Sequence, residues 1–149
     1  MKRALLAISS VVAAACGGSS NNNSFANFEG AAWNASVSAT ATCPPPVNMQ
    51  AGNRTYSLTF APGNGADLQV TSTEGCVYKF NLSNSNYTAT LVNAPVSCTA
   101  TISGITATVT WTSYTATTTD GHNLTINTAG TATNGSLTCS FTETGSATR

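Results

Sequence analysis

The strongest constraint on the fold is a two-residue alternation of apolar and polar side chains that begins near Ala31. Successive side chains of a strand point to opposite faces, so this period is typical of strands with one buried face. In the first such segment the inward set is Trp33, Ala35, Val37, Ala39, Ala41 and Cys43, and the outward set is Asn34, Ser36, Ser38, Thr40 and Thr42. No segment after the first 15 residues shows a capped helical period, and the chain is predicted to be all-β.

Three glycine-containing turns predict a strand register in the C-terminal half, because a tight turn fixes the pairing of its strands. Treating Ser103-Gly104, Asp120-Gly121 and Asn134-Gly135 as two-residue loops places apolar or small residues on one face of each hairpin. The register places Gly130 opposite Trp111. A glycine at this position indicates either space for the indole ring or a bulge in the strand. The expected pairs are Cys98–Val109, Ala100–Ala107, Ile102–Ile105, Trp111–Gly130, Thr115–Ile126, Thr117–Leu124, Ala132–Leu137 and Gly130–Cys139.

Sequential hairpins without a long crossover predict an up-and-down antiparallel meander barrel of eight or nine strands. A β-sandwich is the alternative, because it also uses short strands with polar outer faces. One segment leaves the strand count open. At Asn93-Ala94-Pro95 the apolar parity changes, which indicates either a bulge inside one long strand or a turn between two strands.

Four cysteines beyond Cys16 are expected to form two disulfides rather than a metal site. The chain has no CxxC motif, and His122 is its only histidine. If the barrel closes, its first and last strands are neighbours, so Cys43 and Cys139 are predicted to form one bond. Cys76 and Cys98 flank the Ser83–Asn86 turn and are predicted to form the other.

The first sixteen residues have the pattern of a secretory signal. Met1-Lys2-Arg3 is basic, residues 4–15 are apolar, and this run is too short to span a bilayer. The Ala13-Ala14-Ala15-Cys16 junction resembles the lipobox of bacterial lipoproteins, which implies lipidation of the Cys16 thiol, cleavage before it and acylation of the new amino terminus. The expected division is a signal peptide at 1–15, a lipidated cysteine and flexible tether at 16–27, and a single barrel domain at 28–149.

This resemblance places the chain in the bacterial cell envelope, with a membrane as its partner through the lipid anchor. Gly17 follows the anchor where enteric lipoproteins retained at the inner membrane carry an aspartate, so the outer membrane is the expected location. Charged residues make up only 7% of the chain, without a basic stripe. The sequence therefore predicts that the protein does not bind nucleic acid.

No catalytic site, metal or cofactor is expected from the sequence. His122 follows the Asp120-Gly121 turn without a nucleophile or a second ligand at suitable spacing. The acids are predicted to lie at turns and strand ends, with no charge pointing inward, and nothing in the sequence brings two of them together as a glycosidase pair. These acids are Glu29, Asp67, Glu74, Asp120 and Glu143.

Both ends of the domain resemble the lipocalin-type (calycin) barrel. The resemblance rests on Gly30-Ala31-Ala32-Trp33 at the start of the first strand and on Arg149 at the far end. In that family an indole crosses the base of the barrel and a basic residue near the last strand covers it. The present chain has one extra residue between glycine and tryptophan. A shared fold alone does not transfer ligand binding.

The predicted inner face is the one candidate site. An eight-stranded barrel interior is either filled by side chains or holds one small ligand. A filled core and a non-enzymatic structural or interaction role are the first expectation, and a carrier of a small apolar ligand is the alternative. Inward tyrosines would then need hydrogen-bond partners, from a ligand or from buried water. The residues expected to line such a pocket are Trp33, Tyr56, Tyr78, Tyr87, Trp111 and Phe141.

Overall fold

The computed structural model describes residues 27–83, 87–102 and 104–149. The predicted signal peptide, Cys16 and most of the tether lie outside these ranges. Within them the chain forms strands without any helix, and hence without a helix able to cross a bilayer. The strands are β1 (Trp33–Thr42), β2 (Met49–Pro62), β3 (Leu68–Ser72), β4 (Val77–Ser83), β5 (Thr88–Leu91), β6 (Val96–Ile102), β7 (Ile105–Thr118), β8 (Asn123–Asn134) and β9 (Leu137–Thr148).

All nine strands belong to one antiparallel sheet that closes on itself. The order is β5-β4-β3-β2-β1-β9-β8-β7-β6, and an additional pairing of β5 with β7 completes the ring. The first and last strands are neighbours along a ladder from Asn34 to Thr42. The predicted antiparallel meander barrel is therefore confirmed as the fold class.

Strands β5 and β6 occupy one position of this ring. Thr88–Thr90 pairs with the C-terminal part of β7, and Val96–Ile102 pairs with the N-terminal part of the same strand on the same edge. The interruption between them contains Asn93, whose φ is 55°. The parity change at Asn93-Ala94-Pro95 thus marks a break within one long strand, the first of the two alternatives.

The three predicted hairpin registers have different outcomes. Around Ser103-Gly104, the pairs Cys98–Val109, Ala100–Ala107 and Ile102–Ile105 are confirmed. The register predicted at Asn134-Gly135 is wrong, because Gly135-Ser136 forms the loop and its positive φ of 59° falls on the glycine. In the observed register Cys139 lies opposite Ala132 instead of Gly130, and Leu137 lies opposite Asn134 instead of Ala132. Each residue keeps its predicted face, because the partner moves by two positions.

The Asp120-Gly121 prediction is wrong in a more consequential way. Thr118 pairs with Leu124, so five residues lie between the paired ends, and the predicted pairs Thr115–Ile126 and Thr117–Leu124 do not form. Trp111 nevertheless pairs with Gly130 as predicted, because a bulge between Trp111 and Ser113 absorbs the shift. Beyond this bulge the faces of β7 are exchanged.

The two ends of the barrel differ, and we call them the base and the tip. The base contains the start of β1, the 63–67 turn, the β7–β8 loop and Arg149. The tip contains the β1–β2 loop and the β3–β4, β6–β7 and β8–β9 turns. The core between them is formed mainly by Phe28, Trp33, Val37, Leu58, Leu68, Val70, Phe80, Val109, Leu124 and Ile126, all 2% exposed or less.

Both disulfides lie toward the tip, in the pairing expected from the sequence. Cys43, just after β1, is bonded to Cys139 of β9, with Cα atoms 4.2 Å apart. Cys76 of the β3–β4 turn is bonded to Cys98 of β6, with Cα atoms 5.7 Å apart. The second bond joins the β3–β4 turn to β6, a strand that forms no ladder with β3 or β4.

Candidate functional site

The predicted pocket residues pack against one another in the barrel interior. Trp33, Tyr78 and Trp111 are each 3% exposed or less. The ring centroids of Tyr78 and Trp111 lie 4.9 Å apart, and those of Trp111 and Phe141 lie 6.2 Å apart, both edge to face. Tyr56 is partly buried beside this group. The space that a carrier of a small ligand would need between these rings is occupied by the rings themselves.

Tyr87 does not belong to this group, and its prediction as an inward residue is wrong. It precedes β5, the residue is 38% exposed, and its backbone carbonyl accepts the N–H of Thr118 at 2.9 Å. The alternation that buries Ala89 and Leu91 begins only with the strand itself. Tyr87 instead lines an open surface pocket of about 420 Å³ together with Thr88, Thr117, Thr118 and Thr119.

Tyr114 takes the interior place that sequence reasoning missed. The bulge before Ser113 turns its side chain inward, where its ring centroid lies 5.1 Å from that of Phe80 and 5.5 Å from that of Tyr78. Burial, followed by the neighbouring Tyr56, raises the pKa of Tyr114 well above its usual value. Among the described residues no group forms a hydrogen bond of ordinary geometry with its hydroxyl.

Two of the acids expected at the surface converge on one arginine. Nη1 of Arg54 donates to Glu143, Nη2 of Arg54 donates to Glu74, and the guanidinium lies 5.5 Å from the centroid of the Tyr56 ring. The Thr128 hydroxyl donates to the second oxygen of Glu143 at 3.2 Å. Glu143 is 3% exposed, so the prediction of no inward charge is wrong. We call these five residues the Arg54 cluster.

The pKa shifts in this cluster follow from burial and charge. Burial raises the pKa of Glu143 although Arg54 and Thr128 oppose that rise. For Arg54, burial acts to lower the pKa, but the Glu143 and Glu74 carboxylates outweigh it and the net change is upward. Burial raises the pKa of Tyr56 to about 12. At neutral pH these shifts keep Arg54 charged and Tyr56 neutral.

Part of this cluster had a readable signal in the sequence. Glu143 follows Phe141 in the inward parity of β9, and Arg54 precedes Tyr56 in the inward parity of β2. All charged residues were expected at the surface, so the inward position of these two residues was not predicted. The pairing itself spans 89 residues of chain, so no local pattern could show which acid meets Arg54.

The arrangement is an ion-pair network rather than an acid and a nucleophile. A glycosidase needs two carboxyl groups on either side of a substrate bond. Here both carboxylates bind the same guanidinium, and Glu143 is shielded from solvent. What the geometry provides is one positive charge placed between two carboxylates, with Glu74 at the more exposed side.

Asp120 and His122 also have a structural role. The Asp120 carboxylate accepts the backbone N–H of His122 and of Asn123, both at 2.8 Å, and these bonds lower the pKa of Asp120. It therefore stabilises the β7–β8 loop. Within the described ranges no three His, Cys, Asp or Glu side chains are placed to hold a metal ion.

At the base, the two residues named in the lipocalin resemblance touch. The Arg149 guanidinium lies 4.6 Å from the ring centroid of Trp33 and donates to the Gly121 carbonyl at 2.6 Å. The Trp33 indole N–H donates to the Phe28 carbonyl at 2.9 Å. These contacts cover the base of the core and leave no opening at the indole.

On the tip side, β2 is longer than its neighbour β3. Only Leu58–Pro62 pairs with β3, so residues 49–56 of β2 have β1 on one side and no strand of the described chain on the other. We call residues 49–56 the β2 edge. The β3–β4 turn lies at its end, where the N–H of Thr73 donates to the Ser57 carbonyl at 3.0 Å.

Comparisons of the chain with protein-family models, with curated proteins and with solved structures return no match.

Proposed function

We propose that this chain is a bacterial envelope lipoprotein, anchored to a membrane through Cys16, whose barrel is a non-enzymatic interaction module. The observation that carries the proposal is the filled interior. Tyr78, Trp111 and Phe141 contact one another where a ligand would lie, and Tyr114 adds a further ring. A domain with a packed interior recognises partners through its surface.

The alternative is a barrel that carries a small apolar molecule. Such a site needs an open apolar cavity of several hundred Å³. To form it here, edge-to-face contacts such as those of Tyr78 with Trp111 would have to separate. The buried charges of Arg54 and Glu143 would also border that space. Both features favour the interaction module.

The topology suggests how an anchored domain would be oriented. The chain enters at the base, where Phe28 packs against Phe60 with ring centroids 5.2 Å apart. The preceding segment, Gly17–Asn23, is composed of glycine, serine and asparagine, a composition typical of a flexible tether. A lipid on Cys16 would then hold the base toward the membrane and direct the tip away from it.

The anchor is tested with Cys16→Ala and a matched Ser20→Ala control. We expect Cys16→Ala to move the protein from the membrane fraction to the soluble fraction, because the acyl chains supply the attachment. Ser20→Ala should leave it in the membrane. Density-gradient separation of the two membranes of a diderm host then tests the outer-membrane assignment. A Cys16→Ala protein that stays in the membrane fraction contradicts the lipoprotein proposal.

The filled interior is tested by native mass spectrometry of the mature chain after mild extraction, followed by titration with palmitate as an apolar ligand. We expect no retained small molecule and no saturable palmitate binding. Stoichiometric binding that quenches the fluorescence of Trp111 would favour the carrier instead.

A further inference from the structure

We propose that the β2 edge is a docking site for an extended peptide segment of a partner protein, which adds as a strand and places a basic side chain beside Glu74. This inference rests on the proposed interaction role and names its partner class. Strand addition uses backbone hydrogen bonds for affinity and side-chain pockets for specificity.

The backbone geometry of the β2 edge supplies the hydrogen-bonding groups. Ser57 directs its carbonyl and its N–H toward Thr73 of the β3–β4 turn, the side away from β1. Because N–H and C=O groups alternate along a strand, Met49, Ala51, Asn53 and Thr55 direct theirs to the same side. In the described part of the chain no strand receives them. Four residues are thus oriented to pair with an added strand.

This edge lacks the usual protection against pairing. Natural edge strands are blocked by proline, by bulges, by charged side chains or by a covering loop. Residues 49–56 contain no proline, and their ladder with β1 is regular. The one charged residue, Arg54, is held inside by Glu143 and Glu74 rather than standing over the edge.

Space for the side chains of an added strand is present next to this edge. Ala39 and Ala41 of β1 and Gly52 of β2 border a groove of about 240 Å³. A β-carbon on Gly52 would meet no atom within 4 Å. The small residues therefore leave room on the inner side, where alternate side chains of the added strand would point.

The charge of the Arg54 cluster selects a basic partner. With both carboxylates ionised, one guanidinium faces two carboxylates, and one negative charge remains uncompensated. Glu74 is the more exposed acid, with 17% of its side chain accessible compared with 4% for Glu143. It belongs to the turn at which an added strand must end. A lysine or arginine at that end of the segment would meet Glu74.

A second copy of the chain is a less suitable occupant. Antiparallel pairing of two β2 edges about a two-fold axis reverses the strand direction, and hence the direction from base to tip. Two copies anchored in one membrane have their bases on the same side. The proposed anchor and a symmetric dimer through β2 are therefore incompatible, and a dimer of the mature chain through this edge would contradict the peptide assignment.

The experiment selects binders to the intact mature chain from a displayed library of random dodecapeptides, counter-selected on the variant Ala51→Pro/Asn53→Pro. Proline removes the N–H groups at two edge positions and is tolerated where that N–H faces solvent. The matched control, Ala51→Thr/Asn53→Thr, keeps both N–H groups. We expect selected peptides to lose at least tenfold in affinity for the proline variant and to bind the threonine control within threefold of the original chain.

Hydrogen exchange on the original chain provides a test that does not depend on a variant. Adding a selected peptide should slow exchange at the amides of Ala51, Asn53 and Thr55. Peptides that bind the proline variant equally well, protection confined to other strands, or a library without any enriched peptide would each overturn the proposal.

The charge contribution is tested separately with Glu74→Gln. Selected peptides should contain a lysine or arginine near one end, and replacing it with glutamine should weaken binding to the original chain but not to Glu74→Gln. An equal effect on both chains would overturn the role of Glu74. Peptide binding elsewhere on the surface would contradict the proposal for the β2 edge but not the proposed interaction role. If the unmutated protein expressed in its host is found in the soluble fraction, only the proposed lipid anchor is contradicted.

Discussion

The base and the tip of this barrel are stabilised in different ways. At the base, Trp33 is completely buried, Arg149 covers its ring, and strand ladders continue around the ring through the β5–β7 pairing. Toward the tip, β3 and β4 end early, so β2 and β6 each lack a neighbour on one side within the described chain. Both disulfides and the Arg54 cluster lie on this tip side.

This difference suggests a division between a closed base and an open tip. Apolar burial and continuous ladders are sufficient where the ring is complete. Where the ladder is interrupted, a covalent bond and an ion pair connect segments that form no ladder with each other. The Cys76–Cys98 bond joins the β3–β4 turn to β6, and the Arg54–Glu143 pair joins β2 to β9. The tip can therefore offer a strand edge without separating from the rest of the sheet.

The largest expected effect concerns the long covalent loop. Cys43→Ala/Cys139→Ala should lower the free energy of unfolding by about 5 kcal/mol, and Cys76→Ala/Cys98→Ala by about 3 kcal/mol, because a longer loop restricts the unfolded chain more. The two bonds close loops of 96 and 22 residues. Urea titrations of the two double variants measure both losses. A larger loss for the Cys76–Cys98 bond would show that the missing ladder beside β6 determines the stabilisation more than the length of the closed loop does.

The next effect concerns the buried charge. Arg54→Met should lower the free energy of unfolding at pH 7 by about 3–5 kcal/mol, because Glu143 is left buried without its cation. A native pKa above the unfolded value means that the folded state binds the proton more tightly. The stability contributed in this way is present at low pH and is lost as the pH rises through the native pKa of Glu143.

Without Arg54 that pKa rises further, so the deficit of the variant relative to the original chain should shrink on acidification from pH 7 toward pH 4. Urea titrations of both chains at several pH values measure this. The control compares Arg54→Met/Glu143→Gln with Glu143→Gln. Neither chain has a carboxyl to titrate at position 143, so this deficit should not shrink on acidification. A pH-independent deficit in Arg54→Met itself would indicate that Glu143 is hydrated.

A smaller effect distinguishes the packed interior from the open edge. A β-carbon on Gly130 would lie 2.1 Å from the Thr110 carbonyl oxygen, so Gly130→Ala should cost about 1–3 kcal/mol. Gly52→Ala, with open space around the new carbon, should instead stabilise the chain by about 0.4–1 kcal/mol by restricting the unfolded state. Thermal unfolding of both variants provides the measurement. Equal costs would mean that the β2 edge is covered.

The smallest effect concerns the unpaired phenol. Tyr114→Phe should raise the free energy of unfolding by about 1 kcal/mol, because it removes a buried hydroxyl without a good hydrogen bond. Tyr78→Phe is the matched control: its hydroxyl interacts with Ser72, and the change should be destabilising. Denaturant titrations compare the two. A loss of stability in Tyr114→Phe would show that water or Tyr56 satisfies this hydroxyl.

Much of the closed ring could be predicted from the sequence. Alternation marked the strands, and closure made β1 and β9 neighbours, which also led to the pairing of Cys43 with Cys139. These inferences depend only on which face most side chains of a strand point to, and a local irregularity does not change that. The register of two paired strands is different, because one inserted residue shifts every pair beyond it. Thr112 adds one residue to β7, and no neighbouring residue type distinguishes that bulge from a regular strand.

The interior site was only partly predictable for the same physical reason. Trp33, Tyr78 and Trp111 were placed correctly by parity, whereas Tyr114 required knowledge of the bulge. The Arg54 cluster joins four separate segments of the chain, so its members could be placed on a face but not paired. The open β2 edge follows from a difference in strand length between β2 and β3, which polar residues at strand ends conceal.

The two disulfide bonds form nested covalent rings. The ring closed by Cys76 and Cys98 lies entirely within the ring closed by Cys43 and Cys139. Any single cut of the backbone between residues 43 and 139, including one in the exposed Pro44–Asn48 loop, leaves both fragments joined. A protease nick would therefore add only the mass of one water and release no fragment until a reductant is added, and the nicked molecule would keep its tip and its base together.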